Sequence, residues 1–314
     1  MLEARSPAPL QAQVRQWLVE QSELPLPGRG RTLQRWRALA RIGAHDLALA
    51  KVLEAHHDAH AVLADLGAPV PPGDPLLAVW AAHGPGCTVR GDEQEDALVG
   101  AKPWCSGADI VDMALVTVRE GARPGVYLVA LDASAQVDAA QWHAPGMARI
   151  PSTTVQFQQT PAQWLGSEQA YLSRPGFWHG GAGIAAVWLG AAGALLTAMQ
   201  QRCEGDHRQR LTGEAVLALT AATSFLRELA ARIDADPSRS HQAEVVLARS
   251  LAERACTTVL DLAARALGPG PMCLDADHAR RWADLTVFIR QSHADRDWAW
   301  LGTQAATVEH AWTL

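Results

Sequence analysis

The sequence lacks an excess of positive charge and has few aromatic side chains other than tryptophan. Its 314 residues include 27 Lys and Arg against 33 Asp and Glu, a formal net charge of −6. A nucleic-acid-binding protein needs a basic face to neutralise phosphates, so we expect no nucleic-acid partner. Phe and Tyr number only four and two, against twelve Trp. Indole rings offer flat surfaces for stacking, although a biased genome composition would give the same excess.

Cysteine pairs with metal-binding spacing are also missing. Five cysteines are scattered along the chain with no CxxC pair: Cys87, Cys105, Cys203, Cys256 and Cys273. An odd number without such spacing indicates reduced thiols in a cytoplasmic protein. The first residues contain no apolar core segment, so no secretory signal is predicted.

Charged side chains are missing from the stretch 180–199. It is long enough to cross a bilayer. It is rich in Ala and Gly, holds few Leu or Ile, and lacks a basic flank on its N-terminal side. These features predict a buried helix of a bundle and no membrane span.

The remaining pattern divides the chain into three predicted domains. Residues 1–73 carry apolar side chains near helical spacing and end in a run of Gly and Pro, which predicts a contracted helical domain. Residues 74–166 hold short alternating segments, which predict a small antiparallel β domain. Residues 167–314 show apolar stripes spaced three and four, as in a helical bundle. The predicted fold is mainly α with a small central antiparallel β domain.

The most specific local pattern is the segment 100–109, GAKPWCSGAD. Trp104 and Ser106 are two residues apart, so on an extended strand they point to the same side. The indole could cover a flat heterocycle while the hydroxyl bonds its edge. The same residues also fit a strand whose Trp packs in the core and whose Ser caps a turn.

This segment resembles the β domain of the acyl-CoA dehydrogenase family, which carries G-x-K-x-W-I-[TS] ahead of A-D-x-x-L-V. Gly100, Lys102, Trp104 and Ser106 match the first pattern. Ala108, Asp109 and Val116 match the second after one extra residue. The resemblance implies FAD as the cofactor. It implies that Trp104 lies against the isoalloxazine ring and that the Ser106 hydroxyl bonds near N5 and O4.

The order of helical domain, β domain and four-helix bundle, as in an acyl-CoA dehydrogenase-like fold, fits the same family over nearly the whole chain. The stretch RALGPG at 265–270 resembles the family's G-G-x-G turn, whose backbone N–H groups approach the FAD of a neighbouring subunit. The resemblance therefore implies cofactor contacts at Gly268 and Gly270, and a homodimer or homotetramer. Glycine suits this role because a Cβ would block close approach to a phosphate. On the residues alone, a helix C-cap followed by a turn explains the glycines equally.

Three departures from the family pattern bear on function. The chain is shorter, mostly in the first domain, and the T-E-P-x-x-G-S flavin loop is reduced to residues 81–87, with Cys87 at the small hydroxyl position. The position of the family's catalytic Glu falls near Ser292, and no Glu is close to it in sequence. α,β-Dehydrogenation needs a base that removes the α proton, and neither Ser292 nor Gln291 can do this.

Instead, residues 290–293 form an R-x-x-H stretch. This resembles flavin monooxygenases of the same fold, in which a His near the flavin helps with substrate deprotonation or with oxygen chemistry. His293 is therefore the candidate catalytic residue. The alternative for His293 is a surface or interface histidine bonded to Asp297, four residues on.

A second histidine pattern lies on the first helical domain. His56 and His60 are spaced i, i+4 and form a possible metal pair on one helical face. Because no third ligand is visible, we predict no metal site. The stretch also fits an ordinary helix or a histidine that lines the active site.

Three functions follow from these patterns. The first is an FAD-dependent oxidoreductase acting on an acyl thioester, such as a CoA thioester, or on a related activated carbonyl. The second is a flavin-dependent monooxygenase that takes reduced flavin or electrons from a partner reductase. The third is a non-catalytic subunit that keeps the fold without flavin. All three would be cytoplasmic.

Overall fold

The computed structural model describes residues 9–21, 23–92, 96–121, 123–138 and 142–306. The chain forms two compact units. The first unit comprises Met1–Leu24, Lys51–His143 and Ala148–Arg174, and the second comprises Pro25–Ala50, Ala144–Met147 and Pro175–Leu314. These units are defined by packing and interleave along the chain, whereas the three predicted domains follow sequence order. The predicted absence of a secretory signal concerns an N-terminal segment of which residues 1–8 lie outside the described part.

The first unit consists mainly of a sheet. Its strands are β1 (Leu77–Trp80), β2 (Arg90–Gly91), β3 (Ala97–Ser106), β4 (Met113–Val118), β5 (Glu120–Gly121), β6 (Gly125–Ala130), β7 (Ala135–Asp138) and β8 (Ser152–Gly166). Helices α1 (Leu10–Glu20) and α4 (Glu168–Ser173) belong to the same unit, together with most of α3 (Leu47–Asp65). Alternating burial along β8 gives the sheet one apolar face, as its sequence pattern predicts.

The sheet is mixed, so the prediction of an antiparallel β domain is wrong in two strand pairs. The strand order is β1-β4-β6-β8-β3-β2-β5, with β7 pairing with β8. β1 pairs with β4 in parallel, and β2 pairs with β5 in parallel. After β1 the chain passes through β2 and β3. It then returns as β4, which lies beside β1 and runs in the same direction. Such a long crossover is what a parallel pair requires.

The second unit is helical. Its further elements are α2 (Thr32–His45), α5 (Pro175–Gln200), α6 (Asp206–Ala235), α7 (Gln242–Leu267), α8 (Pro269–Leu274), α9 (Ala276–Phe288), a 3₁₀ turn (Ile289–Gln291) and α10 (Asp295–Ala305). Helix α5 packs against α2, α6 and α7, and α6 packs against α7. The apolar stripes of α6 and α7 are buried, which confirms the prediction of a mainly α fold.

Two long helical stretches of the chain are each interrupted. Asp46 has an extended backbone between α2 and α3, and its Oδ1 accepts a hydrogen bond from Leu49 N at 2.9 Å, as an N-cap does. Residues 276–305 are likewise divided, into α9 and α10, by the 3₁₀ turn and by Ser292. At Asp46 a capping side chain thus divides an apolar pattern that is continuous in sequence.

Helix α5 contains the uncharged run. Among the described residues it is long and apolar enough to span a membrane by length and composition. However, 67% of its most apolar window is buried inside the structure, as expected for a core helix. Trp188, near its middle, is fully buried.

Candidate functional site

Trp104 occupies an unusual position on β3. The register between β3 and β8 shifts between Lys102 and Cys105, which is a β-bulge. Trp104 has a φ of +64° and its side chain is 55% exposed, while Pro103 and Cys105 on either side are buried. A non-glycine residue in this backbone region is strained, and such strain concentrates at functional sites. The bulge therefore turns a large flat ring away from the core.

The loop that follows β1, residues 81–87, lies beside this ring. A Cβ built on Gly84 would be 3.0 Å from the indole Nε1 of Trp104, so the absence of a side chain permits the close approach. At the start of the loop, the indole Nε1 of Trp80 donates to the carbonyl oxygen of Ser106 at 3.1 Å. This bond ties the end of β1 to the end of β3.

Ser106 lies at the end of the same strand and is half-buried. Its hydroxyl is 2.6 Å from the hydroxyl of Ser152, the first residue of β8. In such a pair one hydroxyl donates to the other, so one hydroxyl hydrogen of the two remains available to a ligand. The pair can therefore donate one hydrogen bond beside the exposed indole.

Lys102 on β3 has a fully buried side chain. Its Nζ donates to the carbonyl oxygen of Thr117 at 2.7 Å and to Thr117 Oγ1 at 3.2 Å. Burial lowers the pKa of this lysine to about 8. Lys102 belongs to the matched motif, but sequence reasoning gave it no role. The signal available was a lysine in a strand with apolar neighbours.

His83 in the loop was also missed. Its Nδ1 lies 3.1 Å from the carbonyl oxygen of Ala81, and because a carbonyl only accepts, Nδ1 carries the hydrogen. Burial, followed by the positive charge of Lys102, lowers the pKa of His83 to about 4. The imidazole is therefore neutral at pH 7.

The two predicted cofactor glycines belong to the second unit. Gly268 ends α7 with a φ of +68°, and its N–H donates to Ala264 O at 3.0 Å, so it is a helix C-cap. Gly270 lies in the first turn of α8. A Cβ on either glycine would meet no atom within 4 Å. The local geometry is a cap followed by a turn, with open space at both glycines.

His293 also belongs to the second unit, directly after the 3₁₀ turn. Its side chain is 56% exposed, and its Nδ1 lies 3.3 Å from Asp297 Oδ1. Partial burial lowers its pKa, while the Asp297 carboxylate opposes that shift. The neighbouring Ser292, at the position of the family's catalytic Glu, is buried, and its hydroxyl accepts from Ala294 N at 3.3 Å.

The pair His56 and His60 serves a different contact. The two rings are 4.6 Å apart, and Nδ1 of His56 accepts from the backbone N–H of Leu77 at 3.1 Å. Burial, followed by the charges of His60 and Arg15, lowers the pKa of His56 to about 4. Within the described ranges, no group of three or more His, Cys, Asp or Glu residues could hold a metal ion. The observed geometry is that of a histidine that fixes the start of β1.

Comparison by sequence gives no family: no family model matches the chain, and no curated protein matches it. Solved structures do match. Butyryl-CoA dehydrogenase from Megasphaera elsdenii has a TM-score of 0.70 at 14% identity, over 88% of this chain and 82% of that one. The dibenzothiophene monooxygenase TdsC from Paenibacillus sp. A11-2, in complex with FMN and indole, has a TM-score of 0.71 at 19% identity, over 85% and 82%.

A third match is XiaF from Streptomyces sp. in complex with FADH2 and glycerol, with a TM-score of 0.68 at 16% identity, over 97% of both chains. At these identities the likeness concerns the fold. The chain has the fold shared by acyl-CoA dehydrogenases and related flavin monooxygenases, which confirms the resemblance stated from the segment 100–109 at the level of fold.

Proposed function

We propose that this chain, with a fold shared by dehydrogenases and monooxygenases, is a flavin-dependent oxidoreductase whose flavin ring rests against Trp104. The observation that carries the proposal is the strained, exposed indole between a glycine loop and a hydroxyl pair. Leaving a large apolar ring in water forgoes the free energy of burial, which a flat ligand restores. The flavins bound by TdsC and XiaF support this assignment.

The residues present fit a flavin in two respects. The hydroxyl pair of Ser106 and Ser152 has one hydrogen to donate, and N5 and O4 of an isoalloxazine are acceptors. Open space lies beside Gly268 and Gly270, as the approach of a pyrophosphate requires. FAD contains a pyrophosphate and FMN does not, so these glycines favour FAD. The neighbour TdsC, however, binds FMN.

The finer proposal is oxidation of an acyl thioester or a related activated carbonyl. A bound flavin supplies the electron acceptor, and the chain has to supply a base. Because Asp297 accepts from Nδ1 of His293, the Nε2 lone pair of this histidine is free for a proton. His293 is therefore the proposed base in place of the family's Glu.

A flavin-dependent monooxygenase supplied with reduced flavin by a partner reductase is the alternative. It is favoured by the residue at position 292, where a buried serine replaces a carboxylate. A homodimer or homotetramer, with Gly268 and Gly270 at the subunit boundary, is proposed for either function. We also propose a cytoplasmic location.

Replacing Trp104 by alanine should weaken flavin binding roughly five- to thirtyfold, because stacking against an indole contributes about 1–2 kcal/mol. The measurement is a titration of the apoprotein that follows quenching of flavin fluorescence. Trp298→Ala is the matched control, since Trp298 is also an exposed tryptophan, 41% accessible, but lies on α10 and not on the strand that carries Trp104. Equal affinities for wild type and Trp104→Ala would remove the assignment of the ring to this strand.

Turnover experiments separate the functions. Anaerobic bleaching of the flavin band near ~450 nm by a panel of acyl-CoA thioesters indicates dehydrogenation. A requirement for both oxygen and supplied reduced flavin indicates the monooxygenase. A colourless protein that takes up neither FAD nor FMN would leave the non-catalytic subunit as the remaining function.

A further inference from the structure

A continuous chain of hydrogen bonds runs beneath the loop 81–87. Lys102 Nζ donates to Thr117 Oγ1 at 3.2 Å, and Thr117 Oγ1 donates to Ala81 O at 3.1 Å. The same carbonyl accepts from His83 Nδ1 at 3.1 Å. Lys102 on β3 is therefore linked through Thr117 on β4 to the first turn of the loop. The second bond of Lys102, to Thr117 O at 2.7 Å, fixes its position.

The fold by itself does not need a lysine here. Burying an ammonium group costs several kcal/mol, and an apolar side chain of similar volume is often neutral or better for stability. The two oxygen partners of Lys102 are neutral, and burial lowers its pKa to about 8. Its presence is better explained by what its hydrogen bonds position than by a contribution to stability.

An unsatisfied buried nitrogen favours opening of the loop 81–87. The Nε2 of His83 is enclosed and, among the described residues, has no hydrogen-bond partner. A buried nitrogen left in this state costs about 1–3 kcal/mol, which would be recovered in water. The closed position of the loop, with Gly84 against Trp104, thus depends on other contacts. The chain from Lys102 to Ala81 is such a contact.

We propose that Lys102 is a positioning residue that, through Thr117, holds the loop 81–87 closed against Trp104 and thereby preforms the flavin site. The flavin part of this inference rests on the proposed function. The position of the loop does not, and it can be measured without any ligand. Cys87 ends the loop and is half-buried, so the rate at which its thiol is alkylated reports opening.

The test compares Lys102→Met, Thr117→Val and the double variant with wild type. Alkylation of each cysteine is followed by peptide-resolved mass spectrometry, with the exposed Cys273 as internal reference. Both single variants should speed alkylation of Cys87 relative to Cys273. Loss of a nearby cation disfavours thiolates in general, so it would act in the opposite direction. The double variant should exceed neither single variant, since both break one chain.

The same variants should raise the dissociation constant for FAD about tenfold, as expected for loss of one charge-assisted hydrogen bond. Thr117→Ser keeps the hydroxyl and should match wild type. Lys102→Met removes a buried charge, so its melting temperature should be unchanged or higher. If Lys102 served only the stability of the fold, its replacement would lower the melting temperature. Weaker FAD binding at an equal or higher melting temperature therefore indicates a positioning role.

A pH profile gives a second readout. The charged and titratable groups around Lys102 are Cys87 and His83 in the loop, Cys105 on β3, Arg119 after β4 and Glu168 on α4. As the pH rises through about 8, Lys102 loses its charge, its bonds weaken, and FAD affinity should fall in wild type but not in Lys102→Met. Because the pKa of Lys102 is lower in the folded state than in the unfolded state, the unfolded chain binds more protons above pH 8, and the folded state gains stability as the pH rises. The melting temperature of the wild type should therefore rise with pH while its affinity for FAD falls.

Unchanged alkylation of Cys87 in both single variants would overturn the inference. Faster alkylation with unchanged FAD affinity would break the link between loop and flavin. If wild type binds neither FAD nor FMN while both variants still open the loop, the proposed flavin function fails and the role of Lys102 in positioning the loop stands.

Discussion

Replacing Gly190 by alanine is expected to lower the melting temperature by roughly 5–10 °C. Gly190 lies on α5, and a Cβ there would overlap the carbonyl group of Ala40 on α2. Gly43 on α2 is the counterpart, because its Cβ would overlap the carbonyl group of Val187 on α5. Two backbones that meet this closely cannot admit a methyl group without moving apart.

The magnitude follows from two opposed effects. Overpacking of a close contact typically costs about 1–3 kcal/mol and sometimes more. Alanine recovers close to ~1 kcal/mol through its higher helix propensity. Since backbone rather than a flexible side chain opposes the Cβ of Gly190, the overpacking cost should reach the upper end of this range or exceed it, at about 3–4 kcal/mol. The net loss is then about 2–3 kcal/mol, at roughly 2–4 °C per kcal/mol.

Gly193→Ala is the matched control on the same helix. A Cβ on Gly193 would meet no atom within 4 Å, so this substitution has only the propensity effect. Its melting temperature should equal or exceed that of wild type. Thermal unfolding followed by circular dichroism measures both variants, and equal melting temperatures for the two would contradict the close contact between α2 and α5.

The sequence predicted the burial of α5 but not the reason for its glycines. The absence of charge between residues 180 and 199 and the shortage of large apolar side chains were enough to predict a core helix. The partner of Gly190 is about 150 residues earlier in the chain. A periodic pattern shows which face of a helix is apolar, and it carries no information on which helix will cover that face.

The sequence did not predict the relative direction of the strands, for a similar reason. Alternation within residues 74–166 predicted strands, and β4, β6 and β8 confirm it. The two parallel pairs join segments whose connection passes through other strands. Direction therefore depended on a crossover between distant segments, and neighbouring strands in sequence suggested hairpins instead.

The motif around Trp104 was visible in sequence, but its geometry was not. A period of two along β3 would place Lys102, Trp104 and Ser106 on the same side. The bulge adds one residue between Lys102 and Cys105, so Lys102 is buried while Trp104 is exposed. One inserted residue thus places the indole of Trp104 and the side chain of Lys102 on different sides of the strand. A bulge of this kind cannot be predicted from composition.

Replacing Arg290 by alanine should destabilise the protein by about 2 kcal/mol. One guanidinium nitrogen of Arg290 lies 2.6 Å from Glu253 Oε1 on α7, and the Glu253 side chain is only 8% exposed. Removing the cation leaves a buried carboxylate whose described partner is Thr257, with its hydroxyl at 3.3 Å. Loss of one partner of a buried pair costs about 3–5 kcal/mol, and the 56% exposure of Arg290 reduces this.

Arg290→Ala should also affect His293, the candidate base. Arg290 is in the 3₁₀ turn that precedes Ser292 and His293, and its bond to Glu253 fixes that turn to α7. We therefore expect Arg290→Ala to reduce turnover as well as stability, with flavin affinity less affected. Glu253→Gln introduced into the Arg290→Ala variant should restore part of the stability, because it removes the unpaired charge, but it should not restore turnover.

Arg265→Ala separates this effect from the loss of any surface arginine. Arg265 pairs with Asp261 on one face of α7 at 3.0 Å, with both side chains at least half exposed. An exposed pair of this kind contributes about 0.3–0.5 kcal/mol at most. Denaturant unfolding of the three variants measures the differences. If Arg290→Ala were no less stable than Arg265→Ala, Glu253 would not need its partner, and the turn that carries His293 would have to be fixed by other contacts.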